Sequence, residues 1–178
     1  MTTYIGLLRA INLAGLNRVA MADLRELLAG LGFADVKTLM QSGNVVFRSR
    51  PRANVETSLE TAVRAELGVT TDFFVRSAAE WDALVEANPF PKEAQRDPAR
   101  LVALVLRDAP DVGRVKDLQR AIVGREVVRA EGRQAYVVYP DGMGRSRLSI
   151  AMIEKKLGTR GTARNWNTVL KLRALAAG

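Results

Sequence analysis

The apolar residues of this 178-residue chain change rhythm in the same order twice, moving from a strand-length run to helical spacing, then to two further runs and back to helical spacing. Few folds bury such a pattern, because each helix has one apolar stripe and each strand must find neighbours. Thr3 to Arg9 is a run of strand length, and Ile11 to Val19, with its Gly and Asn residues, is a loop. Met21, Leu24, Leu27, Leu28 and Leu31 then recur at helical spacing, with Asp23 and Glu26 in the first turn. Gly32 follows the last of them, and Phe33 fits the hydrophobic contact of a Schellman stop. Val36 to Gln41 and Val45 to Arg48 form a hairpin around Ser42-Gly43-Asn44. A second helix carries Val55, Leu59, Val63 and Leu67 and stops at Gly68, and Asp72 to Arg76 returns as a strand.

This order, βαββαβ, is the split-βαβ or ferredoxin-like arrangement, in which two helices cover one face of a four-stranded antiparallel sheet. The second half nearly repeats it. A helix at Ala78 to Ala87 and a Pro-rich segment at 88–98 lead to a strand at Leu101 to Arg107 and a helix near Val112 to Ile122. Strands at Glu126 to Ala130 and Ala135 to Tyr139 follow, and then helices at Ser146 to Leu157 and Ala163 to Leu175, the last replacing a final strand. The expectation is an α+β protein with a ferredoxin-like half over residues 1–76 and a basic βαββαα-type half over 77–178, the two packed together. Runs such as LVALVL, AYVVY and DFFV are apolar on both faces, so both faces of each sheet are expected to be covered.

The chain contains no Cys and no His, which excludes disulfides, thiolate nucleophiles and imidazole bases. No carboxylates cluster at a spacing that suits a metal, and no cofactor motif is present, GxxxxGK[ST] included. Asp23, Glu26, Glu56, Glu60, Asp82 and Glu86 all read as solvated helix faces or first turns. No residue is assigned a catalytic role. The N-terminus lacks the features of a signal peptide and no apolar run approaches the ~20 residues that cross a bilayer, so a cytoplasmic location away from membranes is expected. The net charge of +8 is uneven: residues 1–88 carry 9 Lys and Arg against 10 Asp and Glu, and residues 89–178 carry 18 against 9.

LLRAIN near the start, the QSGNVVF hairpin, the NPFP connection, YPDGMGRS and the closing TARNWNTVLKL together resemble, in order, the bacterial family called domain of unknown function 1697. The resemblance implies two ferredoxin-like halves and no particular activity.

Two constellations stand out as ligand sites. In the first, Arg9, Asn12 and Asn17 of the opening loop approach Gln41, Ser42 and Asn44 of the hairpin turn, because the first and third strands of such a sheet are antiparallel neighbours. An Arg fork among amides suits a small anionic or hydrogen-bonding ligand. The alternative is that the amides satisfy turn backbones. In the second, two helix starts defy the macrodipole, which favours acidic residues there. Arg145, Ser146 and Arg147 introduce one helix, and Thr162, Arg164 and Asn165 the next. Each misplaced Arg is unfavourable by about 0.3 to 1 kcal/mol when exposed, and an anion held by the free N–H groups would reverse that. The competing account pairs these arginines with Asp141 or Glu154, or turns them to solvent. Trp81 and Trp166 read as core anchors rather than stacking platforms.

Three functional readings follow. The favoured one is binding of a phosphorylated small molecule or another anion by the basic C-terminal half. The second is nucleic-acid binding, against which stand the missing RNP aromatics and the covered sheet faces. The third is an interaction module with no ligand, whose basic side docks an acidic partner or a second copy of the chain in a homo-oligomer.

Overall fold

β1 (Thr2–Leu8) sits inside its sheet because it pairs on both sides. Ile5 lies opposite Val46 of β3 (Asn44–Ser49) and opposite Arg76 of β4 (Phe73–Ser77), both pairings antiparallel. β2 (Ala34–Leu39) pairs with the far side of β3, giving the order β2-β3-β1-β4. The computed structural model describes residues 1–12, 15 and 17–178. Leu13, Ala14 and Leu16, part of the loop read at Ile11 to Val19, lie outside the described residues. Two units are distinguished: Met1–Ala83 with Lys171–Gly178, and Leu84–Leu170.

In the first unit, α1 (Met21–Gly30) buries Met21, Leu24 and Leu28, and α2 (Val55–Leu67) buries Leu59 and Val63. These side chains meet Leu8, Val45, Phe47 and Phe73 in one core. Each such side chain contributes roughly 1.5–3 kcal/mol on full burial. The expected Schellman stop is present: Gly32 adopts φ +86°, the Phe33 N–H bonds the Leu28 carbonyl at 3.1 Å, and the Gly32 N–H bonds that of Ala29 at 3.0 Å. β4 is an outer strand, and two of its N–H groups are taken by carboxylates from α2. Glu60 Oε1 accepts from Phe73 N at 2.9 Å, and Glu56 Oε1 accepts from Val75 N at 2.8 Å. Both carboxylates, read from sequence as solvated, are thus tied to a sheet edge.

In the second unit, Pro91 opens α4 (Pro91–Arg96), where a missing N–H is harmless, and a 3-10 turn at Pro98–Arg100 leads into β5 (Leu101–Leu106). β5 is buried at all six positions and lies between β7 (Gln134–Val138) and β8 (Gly161–Asn165), with β6 (Val127–Glu131) outside β7. α5 (Val112–Ala121) and α6 (Ile150–Leu157) bury Leu118, Ile153 and Leu157 against Val102, Leu104, Leu106, Val137 and Tyr139. On the other face of this sheet, Tyr136 donates to the Leu84 carbonyl at 2.6 Å and its ring lies 6.3 Å from that of Trp166. Trp81 and Trp166 are both buried.

Three sequence readings differ from the structure. Residues 161–165 form β8 rather than a helix entry, and the last helix, α7, is Trp166–Ala177. The second half is therefore βαββαβ followed by a helix, not βαββαα. The cause is tertiary: a β-carbon on Gly161 would stand 2.9 Å from the Val105 carbonyl oxygen, so the glycine lets the strands close, and pairing with β5 overrides the weak local pattern of Thr-Ala-Arg-Asn. The preceding helix starts at Ile150 rather than Ser146, because the Ser149 hydroxyl accepts from Met152 N at 3.1 Å and fixes the start. The division between units runs inside α3 (Ala78–Glu86) and inside α7, whereas the sequence reading placed it after Arg76. Within the first unit, Arg173 Nε of α7 donates to Asp82 Oδ1 of α3 at 2.7 Å.

Candidate anion-binding groove

Of the first constellation, the structure bonds Asn12 of the opening loop to Gln41 of the hairpin turn, while Arg9 turns to Asp72 and Asn17 to its own loop. The Asn12 amide donates to the carbonyls of Gln41 and Val19, at 2.6 and 3.0 Å, while its oxygen accepts from Val19 N at 2.9 Å. Asn17 donates to the Ala10 carbonyl at 3.2 Å, and Asn44, fully buried, donates to the Leu39 carbonyl and the Ser42 hydroxyl, both at 3.0 Å. Arg9 NH1 meets Asp72 Oδ2 at 3.4 Å. These amides hold a strained turn region, in which Ala10, Asn12, Asn17 and Met40 all have positive φ. Gly43 is required there twice over, by φ +80° and because a β-carbon would lie 2.8 Å from Leu8 Cβ.

Both helices of the second constellation start further along the chain than the sequence reading put them, α6 at Ile150 and α7 at Trp166. Arg145 belongs to a 3-10 turn and Arg147 to the segment after it, both exposed and both ahead of the true first turn of α6. Ser146 donates to Glu126 Oε1 at 2.6 Å and accepts from Leu148 N at 3.0 Å. Nearby, Arg125 grips Asp141 through both carboxylate oxygens. That bond, with the fields of Arg125, Arg100 and Arg145, holds the Asp141 carboxyl below the usual carboxylate range. Thr162, Arg164 and Asn165 stand on β8, directly ahead of α7, whose first residue is Trp166. Arg164 NH1 donates to Thr162 Oγ1 and to the Ala163 carbonyl, both at 2.8 Å, and burial pushes the guanidinium down to about 10. Asn165 Oδ1 accepts from Thr168 N at 3.0 Å and so caps α7.

The cationic surface lies elsewhere in the same unit. Leu118 is the buried anchor of α5, leaving its other faces to polar residues. α6 turns Ile153 and Leu157 inward and carries Lys155 and Lys156 in its last turn, where the negative end of the helix dipole favours them. Between the two helices runs a groove of about 750 Å³ lined by Arg114, Asp117, Arg120, Ala121, Lys155 and Lys156. Arg114 is aimed by its surroundings: Asp111 Oδ2 lies 3.7 Å from its Nε, and its guanidinium reaches over Gly158, where a β-carbon would stand 2.7 Å from NH1. Arg120 NH1 lies 3.5 Å from Asp117 Oδ1. Sequence reading missed these residues because each cation alone looks like part of a solvated helix face.

Residues 1–136 match the family described as "Protein of unknown function (DUF1697)". The chain belongs to this family. The match takes in LLRAIN, QSGNVVF and NPFP and ends within β7, ahead of YPDGMGRS and TARNWNTVLKL. A solved structure, that of a conserved bacterial protein from Streptococcus pneumoniae, is similar to this chain with a TM-score of 0.75 and 24% identity, over 98% of each chain. At that identity the likeness speaks to the fold alone. No curated protein matches. Among the described residues no group of three or more acidic side chains could hold a metal ion, and no helix is long and apolar enough to cross a membrane.

Proposed function

We propose that the Leu84–Leu170 unit binds a phosphorylated small molecule, or another anion of that class, in the α5–α6 groove. One observation carries the reading: four cations, Arg114, Arg120, Lys155 and Lys156, line a single groove that holds one carboxylate, Asp117. The unit as a whole carries 16 Lys and Arg against 10 Asp and Glu. Arginine forks match phosphate oxygens two at a time, and the lysines add compact point charges. A nucleic-acid backbone offers the same phosphates, but β5 is buried at all six positions and gives bases no open strand on which to stack.

The test is thermal unfolding of the full chain with tripolyphosphate, nucleotides and sugar phosphates, since a ligand that binds only the folded state raises the midpoint. Stabilisation is expected to weaken steeply with added salt and to disappear in Lys155→Ala/Lys156→Ala. No stabilisation by any of these anions, or an unchanged response in the double variant, sinks the proposal.

A further inference from the structure

The grooves between the paired helices of the two βαββαβ units carry opposite charge. In the first unit the α1–α2 groove, about 500 Å³, is lined by Asp23, Glu26 and Glu66 with Leu27, Leu31 and Leu67, and by no cation. Its counterpart in the second unit is the α5–α6 groove, with four cations and one carboxylate. The formal charges of the two linings are therefore −3 and +3. All eight of these charged residues are exposed.

We propose that the acidic α1–α2 groove of one copy of this chain docks on the basic α5–α6 groove of a second copy. Charge complementarity names the occupant: the two linings balance, and they occupy equivalent places in a duplicated architecture. A phosphate ligand would account for the basic groove and leave the acidic one unexplained, whereas a second copy accounts for both. Leu27, Leu31 and Leu67 give the acidic side apolar surface to bury around the ion pairs, which exposed charges alone would not hold together. Because the two patches differ, the contact is head-to-tail, and each docked pair keeps one groove of each sign free for a further copy. The inference shares the basic groove with the anion reading but does not rest on it; a bound phosphate and a second copy exclude one another there.

Sedimentation velocity of the full chain tests the docking, with Lys155→Glu/Lys156→Glu and Glu26→Lys/Glu66→Lys as the two charge-reversed variants. At about 20 mM salt the wild type is expected to show at least about a twofold rise in apparent mass, lost at about 500 mM salt, where screening is complete within a few ångströms. Each variant alone is expected to stay monomeric. An equimolar mixture of the two regains a pair, because one retains the acidic groove and the other the basic groove. That rescue also excludes misfolding as the cause of the loss. A wild type that remains monomeric at low salt, or variants that do not recombine, overturns the docking. Tripolyphosphate stabilisation of the monomeric Glu26→Lys/Glu66→Lys variant, which keeps the basic groove, reports on the anion reading separately.

Discussion

A tyrosine hydroxyl buried against a carbonyl keeps its proton to higher pH than water would allow. Tyr136, donating to the Leu84 carbonyl, is raised from 10.0 to about 12 by burial and then by the field of Glu131; burial and the field of Glu126 do the same to Tyr139, which donates to the Leu148 carbonyl. A raised value means that the fold favours the protonated form. Its contribution is intact below pH 10.0 and is lost as pH rises towards about 12. Tyr136→Phe is expected to lower stability near neutral pH by about 1 kcal/mol and to make the alkaline loss shallower, as read from urea midpoints across that range. Single-residue roles were the least legible part of the sequence. Arg164 looked like part of a helix entry because nothing local signals that β5 will pair with it, whereas Asn165, the next residue, does cap α7. Asn12, Asn17 and Asn44 looked equally suited to a ligand or a turn, and only their bonds show that the backbone claims them.

At the scale of elements, periodicity carried most of the information. The stripes of α1 and α2 were plain because each faces one core, and the runs of β1, β3 and β5 because they are buried along most of their length. What was missed lies at sheet edges. β8 presents a polar run that closes on β5 through the close approach at Gly161, and β4 depends on acceptors borrowed from a helix. Glu60→Ala is expected to cost about 1–3 kcal/mol by leaving the Phe73 N–H without that acceptor, and Glu60→Gln, which keeps an oxygen there, to recover part of it. Chemical denaturation of the two variants decides this: equal stability of Glu60→Ala and wild type would reduce the carboxylate to a surface decoration.

For the whole molecule, the excess of positive charge was visible along the sequence, but the groove that concentrates it was not, because α5 and α6 are separated by two strands and a turn and meet only in the folded unit. The same holds for the opposed grooves, which become comparable only once both units are known to share an architecture. The limits of those units are expected to have a dynamic counterpart. α7 belongs to the second unit up to Leu170 and to the first from Lys171 onward, although it is one uninterrupted helix. Amide hydrogen exchange is therefore expected to break along α7, with the Thr168–Leu170 amides opening together with β5 and the amides beyond Lys171 together with β1. A single rate shared by the whole helix would mean that the chain opens as one body.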